Sequence, residues 1–197
     1  LRATVDTAIA KADAILKKNP KDVRALYAKG IANATLASFE ASAKRSYVSA
    51  GSKAKAARDL HNEVLKIDPT FDDARMSVGT FNYVVGVIPG FIRAMLWPIG
   101  IRSAGKDLGI EQLETAAAKG ERAATDARMM LIVVYNREKR HDQALKIVQE
   151  LHGRYPRNFI FDLAKGSIYG KLKRWDDAVR TYEQILAKVE GKKDGYE

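Results

Sequence analysis

Apolar residues recur at helical spacing in three runs that each stop at a proline: 9–18 before Pro20, 57–66 before Pro69, and 143–154 before Pro156. Glycine follows each proline by ten residues, at Gly30, Gly79 and Gly166, and alanine precedes each by twelve, at Ala8, Ala57 and Ala144. Two fixed offsets repeated three times mark an internal repeat. Proline cannot continue the helix behind it and sets the turn into the next. Gly and Ala let two antiparallel helices approach closely where they cross. In the last repeat, Gly166, Tyr169, Trp175, Ala178, Tyr182 and Ile185 put small and large side chains at helical spacing on two helices joined over 171–175. Asp176 and Asp177 suit the positive N-terminal end of the second helix.

This pattern resembles the tetratricopeptide repeat family, whose units of about 34 residues are built as helix–turn–helix. The resemblance runs over nearly the whole chain. It implies an all-α, right-handed α-solenoid of helix pairs, forming one domain over 1–197, with lengthened or inserted middle units. Segments 125–156 and 159–190 look like near-regular units, and 5–20 looks like the second helix of a unit whose first helix is missing or lies upstream. Two units depart. Gly30 and Ala57 stand 27 positions apart where Gly166 and Ala178 stand 12 apart, so two lengthened helices are expected to meet near 49–52. The second departure is an apolar insertion over about 81–108, after which a regular second helix resumes near Gly109-Ile110-Glu111-Gln112-Leu113. With its insertion, the chain resembles a group of bacterial tetratricopeptide proteins. It is also similar to the eukaryotic tetratricopeptide family associated with the mitochondrial outer membrane and inclusion clearance. Both resemblances imply binding, often near membranes, and neither implies a defined chemistry.

Between Phe81 and Ile101 the only charge is Arg93. That length matches a bilayer-spanning helix. Pro89-Gly90 and Pro98 break it, and backbone groups freed in lipid would need new partners. Two fates remain for the segment. It folds as short helices on the protein's own core, or Phe91, Ile92, Met95, Leu96 and Trp97 form a lid over an apolar pocket or an interface with a membrane or a second subunit.

In solenoids of this kind the first helix of each pair lines the concave binding face. Alignment on the glycines puts Tyr27 and Ile31, Met76 and Tyr83, Met129 and Val133, and Ile160 and Leu163 there. The lining is apolar and aromatic. Clamps for a C-terminal carboxylate set Lys, Arg and Asn at such positions, whereas this chain has Ala28, Ile31, Ser77, Met130 and Val133. The expected function is a non-catalytic scaffold that holds an amphipathic helix or peptide from a protein partner in an apolar groove. The alternative is a carrier of a hydrophobic small molecule or lipid, with 81–101 as lid or membrane-contacting element.

Charge adds a generic attraction. Lys and Arg total 34 against 24 Asp and Glu, a net +10, which suits an anionic membrane surface or an acidic partner. Lys53, Lys55 and Arg58 are spread among alanines without aromatic stacking platforms, which argues against nucleic acid. With no cysteine, thiolate metal sites, disulfides and cysteine nucleophiles are excluded. His61, His141 and His152 lie on separate helices or helix ends and suit surface positions, so neither a metal nor a cofactor is expected. Gly166-Ser167-Ile168-Tyr169-Gly170-Lys171 is one residue short of a phosphate loop and follows no strand. The carboxylate pairs Asp72/Asp73 and Asp176/Asp177 are accounted for by helix dipoles, and no Ser/His/Asp order suggests an enzyme. The chain starts at Leu1 within two turns of a helical pattern, so removal of a signal or anchor segment is an expectation. A periplasmic or membrane-associated place in a bacterium is a second, and self-association through 81–101 a third.

Overall fold

The computed structural model describes residues 2–98 and 100–191, and among them the regular structure is entirely helical. The first six helices are α1 (Arg2–Lys18), α2 (Val23–Ser42), α3 (Tyr47–Ile67), α4 (Ala74–Gly86), α5 (Gly90–Leu96) and α6 (Lys106–Lys119). After them come α7 (Ala124–Arg137), α8 (His141–Arg154), α9 (Phe159–Lys171) and α10 (Trp175–Glu190). The repeat prolines stand where expected, in the turns after α1, α3 and α8. Polar caps start the next helices: Asp22 Oδ1 accepts from Ala25 N at 2.8 Å to open α2, and Asn158 Oδ1 accepts from Ile160 N at 3.2 Å to open α9. Contacts gather in two compact units, Leu1–Ala127 and Arg128–Glu197, where the sequence suggests one continuous domain, and α7 spans the division.

In the first unit α2 pairs with α3 and α4 with α6, while α1 packs on α2. α1 turns Val5 and Ala12 inward, so Ala8 is exposed and takes no part in a close crossing. Ala57 and Ala144 are buried, as the spacing requires. The α2/α3 turn falls at 43–46, not at 49–52. There Arg45 adopts the left-handed conformation (φ 51°), and Ser46 N donates to the Glu40 carbonyl at 2.9 Å. Ser49, Gly51 and Ser52 lie instead inside α3, where Ala50 is buried. Low helix propensity at these small residues is overridden by packing.

The insertion is narrower than its apolar composition suggests. Phe81, Tyr83 and Val85 are buried in α4 itself, because α4 and α6 cross at very short range. A Cβ on Gly79 would stand 2.8 Å from the Gly109 carbonyl oxygen and 3.0 Å from Leu113 N, and one on Gly109 would stand 2.5 Å from Tyr83 N. Only 87–105, with the short α5, lies outside the pair.

His61 is the clearest departure from expectation. It is fully buried in α3, under Gly30 of α2, where a Cβ would overlap the imidazole. Its ring stacks on Tyr27 at 5.0 Å and 23°, and Nε2 stands 3.1 Å from the Tyr27 carbonyl. That contact needs the proton on Nε2, which leaves Nδ1 buried and without a partner. Burial pushes the imidazole below its ordinary value, and the Tyr27 carbonyl offsets this in part. The histidine spacing gave no hint of this, since the glycine that receives the ring lies on another helix.

In the second unit α9 packs on both α8 and α10. Gly166 receives the Tyr182 ring, whose Cζ would be 2.8 Å from an added Cβ. Two turns have one design. Arg140 N donates to the Tyr135 carbonyl (2.8 Å) and Lys139 N to that of Asn136 (3.4 Å), while Arg174 N donates to Tyr169 (2.9 Å) and Lys173 N to Gly170 (3.0 Å). Both are Schellman closures with lysine left-handed at the pivot, at φ 60° and 59°. Asp162 of α9 is buried and gathers Lys165 (2.9 Å), Lys188 (2.8 Å) and His152 (3.4 Å), tying α8, α9 and α10 together.

Two predictions follow from these contacts. Gly79→Leu should destabilise more than Gly166→Leu, because it meets fixed backbone rather than a ring that can shift. Overpacking costs about 1–3 kcal/mol, and equal melting of both variants and wild type would refute the crossings. As pH falls, the unfolded chain protonates its histidine near about 6.5, before folded His61 does. Stability is therefore full above that pH and declines below it by at most about 1.4 kcal/mol per pH unit for this one proton. Urea titrations at several pH values should show this slope in wild type and a shallower one in His61→Leu.

Candidate binding surface

The first helices of the pairs carry the positions expected to line a groove, and the two units treat them differently. In the first unit Tyr27 is half-buried: its ring lies between His61 and Phe71, whose centroid is 4.8 Å away. Burial, and then the Asp73 carboxylate, push its hydroxyl up to about 12, so it stays protonated. One turn on, Ile31 is exposed. Met76 is half-buried on α4, and Tyr83 is only 3% exposed, so its side chain belongs to the core and not to an open face. The solvent-facing neighbour on α4 is Val84.

In the second unit the lining is open. Met129 and Val133, one turn apart on α7, are 46% and 61% exposed, and Ile160 and Leu163 on α9 are exposed as well. On the insertion, Phe91, Met95 and Trp97 are 74%, 75% and 59% exposed, Ile92 is exposed, and Leu96 is half-buried. No residue of α5 is fully buried.

One apolar face escaped the sequence reading. Trp175, Val179, Tyr182, Leu186 and Val189 of α10 are all exposed and follow the spacing i, i+4, i+7, i+11, i+14, which places them on one stripe. Asp176, Glu183 and Glu190, spaced by seven and exposed, run along its outer edge. The stripe was legible as a second helical face. The spacing of Trp175 and Tyr182 also suits packing within the helix pair, and Tyr182 does both, covering Gly166 with one side of its ring.

Among the described residues no cluster of His, Asp and Glu has a metal-binding arrangement. Gly166 to Lys171 lies inside α9 and forms no phosphate loop. Asp73, expected to serve its own helix, turns instead to the entry of α7 and accepts from Arg122 N (3.0 Å) and Ala123 N (2.9 Å). Asp72 pairs with Arg75 at 2.7 Å. No helix among the described residues is long and apolar enough to cross a membrane.

Comparison with known proteins gives the same architecture. The chain is similar to the crystal structure of MamA, with a TM-score of 0.60 and 21% identity over 95% of this chain and 90% of that one. That likeness concerns the fold alone. No curated protein matches the sequence. The profile of the Iml2/Tetratricopeptide repeat protein 39 family matches residues 11–194, and the chain belongs to that family.

Proposed function

We propose that the protein is a non-catalytic scaffold that binds a protein partner by an apolar helix face or an extended apolar peptide, held against the first helices of its pairs. One observation carries the reading: Met129, Val133, Ile160 and Leu163 are exposed on α7 and α9 although apolar side chains there have no structural need to face water. Tetratricopeptide-type folds work as interaction scaffolds, and this lining would suit the helix-in-groove mode. The carrier alternative has less support. The clefts of about 390 and 290 Å³ have mixed linings, Asp59, Asn62, Glu63 and Lys66 beside Leu65 in one, Arg93, Arg102 and Ser103 beside Ala94, Trp97 and Ile101 in the other, and neither is an apolar enclosure. A lipid-like cargo would need an apolar enclosure.

The proposal predicts how binding responds to salt and to charge. Apolar burial is insensitive to screening, whereas surface ion pairs weaken as the Debye length falls from about 10 Å at 0.1 M salt to about 3 Å at 1 M. A partner recovered by affinity capture and identified by mass spectrometry should therefore stay bound in high salt. Met129→Glu and Val133→Glu should each weaken it about tenfold or more, since a carboxylate desolvated without a counter-charge opposes binding. Both side chains are exposed, so melting should be unchanged. A partner released by salt and indifferent to both changes would put the site on the cationic surface instead.

A further inference from the structure

The α5 segment is fixed at its base and bare at its tip. Asn82, buried in α4, holds the returning chain: its carbonyl accepts from Ser103 Oγ at 2.7 Å, its Oδ1 from Ala104 N at 3.2 Å, and its Nδ2 donates to Gln112 Oε1 at 2.9 Å. Arg58 of α3 reaches the same strand of chain, donating to the Arg102 carbonyl at 2.8 Å. The apolar tip is therefore presented rather than left loose. Phe91, Met95 and Trp97 project from it with more than half of each surface in water. Beneath them Arg93, Trp97, Arg102 and Ser103 line a cleft of about 290 Å³. The Arg102 guanidinium lies 4.8 Å from the centre of the Trp97 ring, and Arg93 donates one bond to the Gly86 carbonyl at 3.2 Å. Neither arginine is ion-paired among the described residues.

Charge decides the occupant. From Ala74 to Lys106 the sequence contains Arg75, Arg93, Arg102 and Lys106 and no Asp or Glu. A second copy docked tip to tip would set Arg93 and Arg102 against their own counterparts, with no Asp or Glu in the segment to pair them. A surface of anionic headgroups over hydrocarbon satisfies both features, since aromatic and Met side chains enter the interface while arginines meet phosphate. We propose that the α5 segment is a peripheral membrane-contact site for anionic phospholipids: Phe91, Met95 and Trp97 enter the interfacial layer, and Arg93 and Arg102 bind lipid phosphate. The site is independent of the partner-binding face proposed above.

Vesicle flotation tests it with phosphatidylcholine vesicles and with vesicles of equal parts phosphatidylcholine and phosphatidylglycerol. The full chain should float with the mixed vesicles and not with the neutral ones. In a Trp175→Phe background, Trp97 emission should shift to the blue on the mixed vesicles and stay unmoved in inorganic phosphate. Arg102→Glu should lower the partition about tenfold, and Lys146→Glu, the same charge change on exposed α8, by no more than about twofold. The paired change Phe91→Ser with Met95→Ser should abolish flotation without altering melting. Absence of flotation overturns the proposal, as does an equal loss in Lys146→Glu or full flotation of the serine variant. A blue shift in inorganic phosphate alone would mean a free-anion site. A concentration-dependent blue shift without lipid, removed by Phe91→Ser, would mean an interface between copies. Either result would overturn membrane contact.

Discussion

Two helices can cross only as closely as the atoms between them allow, and in this protein glycine sets that distance at three crossings. At Gly79 and Gly109 the approach is backbone to backbone, so nothing in the contact can yield. At Gly166 the missing side chain is replaced by the Tyr182 ring, and at Gly30 by the His61 imidazole. The last substitution is chemically the least comfortable, since a buried ring nitrogen goes without a partner. It is tolerated because the ring fills the space above glycine, stacks on Tyr27 and keeps its other nitrogen on a backbone carbonyl. The same stack holds Tyr27 half inside, so one crossing shapes both the core and the face beside it.

How much of this could be read from the chain depended on whether the physical cause was local. A proline stop acts within a few residues, and Pro20, Pro69 and Pro156 stand in the turns their spacing implied, while Gly79 and Gly166 sit at close crossings because the repeat itself brings the next helix back onto them. The turn between α2 and α3 was misplaced because Gly51 and the serines beside it weaken a helix locally, while the packing of Ala50 is a tertiary effect. His61 was invisible for a related reason: its burial is determined by a glycine 31 positions earlier. Tyr83 shows the limit of alignment by repeat. It stands one turn after Gly79, where Ile31 stands one residue after Gly30, and so shares the face of α4 that meets Gly109 and lies in the core. The stripe on α10 is legible in spacing, but Trp175 and Tyr182 also fit a packing role within the helix pair, so spacing alone does not separate the two faces.

The polar groups serve placement more than chemistry. Asp73 holds the start of α7 through two backbone N–H groups, Asp162 holds three helices of the second unit through two lysines and a histidine, and Asn82 holds the insertion. Each is buried and each is satisfied by several partners, the condition under which a buried polar group contributes specificity of arrangement. On α7, α9 and α10, by contrast, apolar side chains stand exposed among the polar ones.

The way the insertion leaves and rejoins the α4/α6 pair has a consequence for how such a protein can change. A Cβ on Gly86 would stand 2.5 Å from Lys106 N, so the two ends of the excursion touch. A loop whose ends already meet asks nothing of its contents beyond closing the gap, and the entropy of closure grows only slowly with length. Segments of quite different size and composition can be exchanged at this junction while the crossing below stays as it is. The junction behaves as a socket: the α4/α6 pair supplies a fixed mount, and the segment between Gly86 and Lys106 is what it carries.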